Sequence, residues 1–327
     1  MIAGELAKAL AASSTGELVA IGSRAPGTAE AFAEGHAPAA RPHSTYEALL
    51  ADADVDVVYV ATPHPLHHEW AVKAADAGKH LLVEKPLTLN AHQTQDVIDA
   101  ARRNDVFLME AFMWRCHPQA AELARLLGEG AIGEVRVLQA SFGFQAGFDQ
   151  GSRLFNLALG GGGIMDVGCY TASMAVLVAR LTGVNLEEPI HVTGTGLVGA
   201  SGVDEWAAAT ATFPTTGLVA QLATGVRIQL ENTVRIFGTG GSITVRTPWL
   251  PAPTAQLVLA RHGHDVEEVR TAAPAGIYTL EVDEVAAHLG ARQAPAMPWR
   301  DTLAVARITD AWRAAVGVRY PGEDSTN

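Results

Sequence analysis

The chain has 327 residues, 48% of them hydrophobic and 18% charged, with a formal net charge of -12 and two cysteines. Its length suits two domains and its composition is globular; the acidity leaves no basic face for phosphates and excludes a nucleic-acid partner. Only Cys116 and Cys169 are present, no uninterrupted apolar run approaches the roughly 20 residues of a bilayer span, and no basic leader is seen, so a cytoplasmic protein without membrane contact is expected.

The first ten residues, MIAGELAKAL, place Ile2, Leu6 and Leu10 on one helical face. ELVAIGSR follows as a buried strand ending at Gly22-Ser23-Arg24, then TAEAFAEGH and TYEALLADAD as helices. VDVVYVATP (55–63) is a second apolar strand, HHEWAVKAADAGK a helix stopped at Gly78, HLLVEKP a third strand, NAHQTQDVIDAARRND a helix and VFLMEAFMW a fourth strand. Strands apolar throughout, alternating with helices, specify a parallel sheet covered on both faces. The expectation is therefore an α/β protein with a Rossmann-type dinucleotide-binding domain over 1–115.

Beyond Pro118 the pattern changes. AAELARLLGEG reads as a helix, VRVLQASFGF as a strand, and a long helix runs from about Ile164 to Leu181 after the glycines at 160–163. HVTGTGLVG, EWAAATATFPTTGLVAQLATG, VRIFGTGGSITVRT and AQLVLAR are strands with polar turns, as in an open, mainly antiparallel sheet. The last helix (about 299–316) has Pro298 near its start and is expected to pack back on the first domain. Residues 116–327 thus form a second α/β domain for substrate binding and oligomerisation.

Ligands of open α/β sheets bind at the carboxyl ends of strands, and three such ends are chemically rich: GSR (22–24), ATPHPLHH (61–68) and EKP (84–86). Lys85 at a sheet edge can polarise a carbonyl or lower the pKa of a neighbouring hydroxyl; an exposed Glu84-Lys85 pair is the plain alternative. In GGGGIMDVGCY, Asp166 and Tyr170 lie four apart and share a helix face, either as a proton-handling pair or simply satisfying each other. The glycines lack the Lys-Ser/Thr of a phosphate loop. The histidines of ATPHPLHH have no partner segment that would complete a zinc site, so no metal is expected. After the strand at 18–22 there is no acid for a ribose 2′-hydroxyl; Ser23 and Arg24 suit a 2′-phosphate, which favours NADP over NAD. Cys116 and Cys169 read as packing residues, Arg115 and His117 as substrate contacts or an interdomain hydrogen bond, and Trp206 and Trp249 as part of the sheet or an oligomer interface.

HLLVEKPLTLN, MEAFMWRCHPQ, GGGIMDVGCY and IFGTGGSITV together resemble the Gfo/Idh/MocA oxidoreductases, and within them the branch of dihydrodiol dehydrogenase, NADP-dependent xylose dehydrogenase and glucose–fructose oxidoreductase. The resemblance runs from residue 2 to about residue 315. It implies that Lys85 is the catalytic lysine, that its bond to Pro86 is cis, and that Asp166 and Tyr170 form the pair at the substrate. Tyr170 would exchange the substrate's hydroxyl proton, Lys85 would hold the tyrosinate and substrate oxygen, and Asp166 would orient Lys85 or a sugar hydroxyl. Thr62, Pro63 and His67 match the family's ATPNxxH loop against the cofactor, His64 stands where Asn is usual, and Glu84, Lys85 and Pro86 lie beside the same cofactor. An inositol-type dehydrogenase would show His in place of Tyr170.

The implied activity is hydride transfer between NADP or NAD and a secondary alcohol or carbonyl of a sugar, polyol or dihydrodiol, in a homodimer or homotetramer built through the second domain's sheet. Family members begin with a short strand and a glycine-rich phosphate loop before a helix like MIAGELAKAL. Both are expected upstream of Met1, on the order of 15–20 residues long. The alternative for the chain as it stands is a nicotinamide-binding or oligomeric protein without turnover.

Overall fold

The computed structural model describes residues 2–323. The first half alternates in chain order: α1 (Ile2–Ala12), β1 (Ala20–Gly22), α2 (Thr28–His36), β2 (Arg41–His43), α3 (Tyr46–Leu50), β3 (Val57–Val60), α4 (His67–Asp76), β4 (His80–Glu84), α5 (Ala91–Arg103) and β5 (Leu108–Ala111). Local chemistry sets the helix ends. Thr45 Oγ1 accepts from Ala48 N at 3.1 Å to start α3, and Asn90 Oδ1 accepts from Gln93 N at 2.8 Å to start α5. Gly78 takes a left-handed φ of 73° just past α4, a conformation that favours glycine.

All the strands here are parallel, as expected, but they form two groups rather than one sheet. β1 pairs with β2, and β3, β4 and β5 pair in that order. Among the described residues no strand joins the two groups. The residues of β1 and β3 are accordingly only half-buried, with the exception of Val60, whereas β5 is buried throughout and β4 from Leu81 onward. The expected strand and glycine-rich loop concern residues upstream of Met1 and so lie outside the described ones.

The second half contains α6 (Pro118–Gly128), β6 (Val135–Gly143), α7 (Cys169–Leu181), seven strands β7 (His191–Val198), β8 (Asp204–Phe213), β9 (Leu218–Gly225), β10 (Val234–Gly238), β11 (Gly241–Val245), β12 (Thr254–Arg261) and β13 (Glu267–Ala272), then α8 (Ile277–His288) and α9 (Trp299–Val316). The sheet order is β13-β12-β11-β10-β6-β9-β8-β7, antiparallel except where β6 meets β9. α7 is buried from Cys169 to Ala179, so it is apolar on every side rather than striped. Contrary to the reading that no segment could span a bilayer, Leu157–Leu181 passes by length and composition. Its most apolar 18-residue window is 89% buried inside the protein, which makes it a core helix.

α9 does pack on the first domain, where Trp299 Nε1 donates to Leu108 O at 3.0 Å and Asp310 Oδ2 accepts from Ala91 N at 2.7 Å. It also packs on the second, with Trp312 fully buried against Gly194 of β7. Arg115, on the turn after β5, ties the two halves: it donates to Asp301 Oδ2 of α9 at 2.6 Å and to Ser173 O of α7 at 2.5 Å. Arg115 is therefore an interdomain residue rather than a substrate contact. His117 accepts from Gln119 N and caps α6.

Candidate active site

The site forms where the carboxyl ends of β3 and β4 face the start of α7. At the end of β4, Glu84 is buried, takes a hydrogen bond from Tyr59 Oη and accepts from Lys85 N at 3.2 Å. The Lys85–Pro86 bond is cis. Lys85 reaches the second domain: Nζ donates to Asp166 O at 2.9 Å and lies 4.9 Å from the centre of the Tyr170 ring. An ammonium has three donors, so two remain for a substrate oxygen.

Asp166 sits in a π-type turn, Ile164–Gly168, that widens the entry to α7; the regular helix begins only at Cys169. The glycine run before it is a packing device. Gly162 has φ of 110°, and a Cβ there would stand 2.4 Å from Asp204 Oδ1, so only glycine lets that carboxylate approach. Asp204 Oδ2 accepts from Ile164 N at 2.7 Å and fixes the turn, and Tyr320 Oη donates to Gly161 O at 2.5 Å from the other side.

The expected role of Asp166 needs one revision. Its backbone carbonyl, not its carboxylate, takes Lys85, while the carboxylate pairs with Arg153 at 2.6 Å. Burial pushes Asp166 toward the neutral acid, but Lys85 and Arg153 outweigh that effect and hold it below the ordinary carboxylate value. Glu84 shifts the opposite way, its burial outweighing Lys85 and Tyr59. Tyr170 is buried among Phe112 at 5.3 Å, Phe142 at 5.2 Å and Trp249 at 6.0 Å between ring centres, and Oη donates to Met113 Sδ at 3.6 Å. Desolvation, then the nearby Glu84, raises its pKa well above that of a free phenol.

The 62–67 loop closes the site from the β3 side. The buried His64 donates from Nδ1 to Gly160 O at 2.9 Å, which leaves Nε2 to accept from Arg153 at 3.3 Å. Burial, reinforced by His67, Arg153 and Lys85, pushes His64 well below its ordinary value, so it is neutral. His67 lies between two carbonyls, with Pro86 O 2.9 Å from Nδ1 and Thr62 O 2.8 Å from Nε2, and so joins the β3 and β4 loops. Among the described residues no three histidine, cysteine or acidic groups gather as metal ligands.

Of the predicted residues, Lys85, Asp166, Tyr170, Glu84, Pro86, Thr62, Pro63, His64 and His67 gather here. Ser23 and Arg24 lie apart, at the end of β1, where Ser23 N donates to His43 O at 3.1 Å and the Arg24 guanidinium is 5.5 Å from the Tyr46 ring centre. The residues present suit the nicotinamide half of a dinucleotide: Thr62 Oγ1 is buried and lacks a partner among the described residues, beside the Lys85 turn. Arg153 was not legible in the sequence, because an arginine opening a short 3-10 turn carries no apolar period. Trp249, read as a sheet or interface residue, instead stacks on Phe142 at 5.6 Å and walls the tyrosine. Cys116 and Cys169 are free, and burial raises both thiols.

Two family descriptions match the chain: an oxidoreductase family with an NAD-binding Rossmann fold over residues 1–112, and the GFO/IDH/MocA C-terminal domain over 120–244. The chain is 33% identical over 313 residues to a trans-1,2-dihydrobenzene-1,2-diol dehydrogenase of Xenopus tropicalis, covering 93% of this chain and 91% of that one. The chain belongs to the Gfo/Idh/MocA family of oxidoreductases. As a member of that family it is an NAD(P)-dependent oxidoreductase. A crystal structure of a 3-ketoreductase from Actinomadura kijaniata with NADP and TDP-benzene superposes with a TM-score of 0.83 at 30% identity, covering 95% of this chain and 93% of that one. That enzyme has also been solved with a tyrosine replaced by phenylalanine and with a lysine replaced by alanine or glutamate. A levoglucosan dehydrogenase with NADH and levoglucosan, at 21% identity and a TM-score of 0.82, covering 97% of this chain and 95% of that one, shares the fold.

The Asp204 cap has a pH signature. Burial pushes its pKa up to about 6, against the amide hydrogen bonds it accepts. A carboxyl whose folded pKa exceeds its unfolded value holds its proton longer when folded, so stability falls as pH rises between about 4 and 6 and is level above. In urea unfolding at pH 4 and pH 6.5, Asp204→Asn is expected to lessen the stability loss between the two by on the order of 2–3 kcal/mol, the raised Glu84 and Glu110 leaving a loss of their own in both proteins. An equal pH dependence in both proteins would contradict this placement of Asp204.

Proposed function

We propose that this oxidoreductase interconverts a secondary alcohol and a carbonyl on a sugar, polyol or dihydrodiol, with NADP preferred over NAD. The observation that carries the reading is the Lys85 ammonium, held by Asp166 O and set beside the Tyr170 ring at the ends of β3 and β4. When bound, the nicotinamide supplies or takes up the hydride. Thr62, Pro63, His64, His67 and the 84–86 turn would lie against it.

In the reducing direction Tyr170 is the proton donor, since its raised pKa keeps the phenol protonated until a developing alkoxide calls for the proton. Lys85 supplies the two spare N–H donors to the substrate oxygen and stabilises negative charge there. Asp166, ionised beside Arg153, accepts from a neighbouring substrate hydroxyl, which favours vicinal diols and sugars over simple ketones. The names of the relatives support this class, because the dihydrodiol dehydrogenase acts on a vicinal diol and the Actinomadura enzyme is a reductase of a keto sugar. Ser23 and Arg24 at the end of β1 favour a 2′-phosphate.

The expected outcome of Lys85→Met or Tyr170→Phe is a fall in kcat of about 10²–10⁴-fold. NADPH affinity should change less than about threefold and exceed that for NADH. The assay uses trans-1,2-dihydrobenzene-1,2-diol and a panel of sugars with NADP⁺. Variants that turn over as the parent does, or a parent that binds nicotinamide but oxidises or reduces nothing, would favour a non-catalytic binding protein.

We further infer a homodimer or homotetramer through the outer face of the eight-stranded sheet. There Arg235, Gln139, Gln221, Thr210 and Thr193 align across five strands, and Trp206 and Leu197 stand exposed at one end. Light scattering should give at least twice the chain mass of 34.3 kDa, reduced by Trp206→Glu; a monomer at micromolar concentration would refute it.

A further inference from the structure

The turn that presents Lys85 is held by two acids and a histidine. Glu84 takes the Lys85 amide, and His67 sits 2.9 Å from Pro86 O. A third holder comes from β5, whose Glu110 lies opposite Val83 of β4 in the parallel register. Leu87 N, the first amide after Pro86, donates to Glu110 Oε1 at 2.9 Å. Glu110 is 2% exposed, on a strand whose other residues are apolar, and its Oε2 has no hydrogen-bond partner among the described residues. Burying a carboxyl group is costly, and an apolar residue would fit the strand better if packing were the only demand.

We propose that Glu110 is a positioning residue for Lys85: by holding the Leu87 amide from beneath, it fixes the turn that aims the lysine at Tyr170 and Asp166. The assignment rests on Lys85 being the catalytic lysine. Glu110 is buried on β5 and acts on Lys85 through two residues of backbone. Its surroundings link the turn to the domain junction, since the Thr302 hydroxyl of α9 and the Arg115 guanidinium both stabilise its charge. Burial nevertheless pushes its pKa up to about 7. What the turn needs from position 110 is an acceptor, and a neutral amide of the same shape supplies one.

The test compares Glu110→Gln with two apolar replacements, Glu110→Met and Glu110→Leu, so that one variant failing to fold does not end the experiment. Kinetics use NADP⁺ with trans-1,2-dihydrobenzene-1,2-diol, and hydrogen exchange is read at the Leu87 amide. The apolar variants should lose about tenfold or more in kcat, with KM and NADPH affinity within about threefold and Leu87 exchange at least about tenfold faster. Glu110→Gln should stay within about threefold of the parent on every measure. A folded apolar variant with parental kcat, or with unchanged Leu87 exchange, overturns the proposal, as does Glu110→Gln as impaired as the apolar pair. The exchange measurement needs no turnover, so it tests the Glu110 contact even if the catalytic reading fails. Failure of that reading shows separately, as parental turnover in Lys85→Met.

Discussion

The hydrogen bond from Lys85 Nζ to Asp166 O joins the two halves of the site, and His64 bridges them a second time through Gly160 O and Arg153. The lysine belongs to a strand end of the first domain and the Asp166 carbonyl to the widened helical turn of the second. A buried or half-buried ammonium is stable only where acceptors converge on it, so the packing between the domains has to be accurate here. Much of the surrounding architecture serves that accuracy. Arg115 bridges α7 and α9, α9 packs on both domains, and Asp204 and Tyr320 hold the glycine turn that sets the position of Asp166.

The charges around this bond are arranged in opposition. Asp166, faced by Lys85 and Arg153, is kept ionised despite its burial, while Tyr170, inside a box of Phe112, Phe142 and Trp249, is kept protonated. One group is therefore ready to accept a hydrogen bond from a hydroxyl and the other to give a proton, at the same start of α7. Such a split between neighbouring titratable groups is the usual mark of an acid–base site. His64, neutral and bonded to Gly160 O, joins Arg153 in tying the cofactor loop to the substrate loop.

The parts of this arrangement that follow a chain period were legible in the sequence. Apolar strands ending in polar residues revealed β3 and β4, and with them Lys85 and His67; the spacing of Asp166 and Tyr170 placed both at the start of α7. The parallel strands follow from their apolar runs, whereas their pairing as β1-β2 and β3-β4-β5 is a property of space rather than period. α8 escaped notice because Thr279 and Glu281 lie on its buried face and interrupt the apolar stripe. β13 escaped because Glu267, Glu268 and Arg270 make it polar. Arg153, on a short 3-10 turn, and Trp249, on an irregular loop, enter the site where tertiary contacts alone decide the direction of a side chain. Glu110 sat in a stretch legible as an apolar strand, and the burial that gives it meaning is three-dimensional.

The most direct measurement is a crystal structure of the protein with NADPH and a non-reacting polyol. The nicotinamide should lie against the 62–67 loop and the 84–86 turn, with one polyol oxygen within about 3.2 Å of both Lys85 Nζ and Tyr170 Oη and its carbon facing the ring. A nicotinamide bound elsewhere, or a polyol oxygen that meets neither group, would contradict this arrangement.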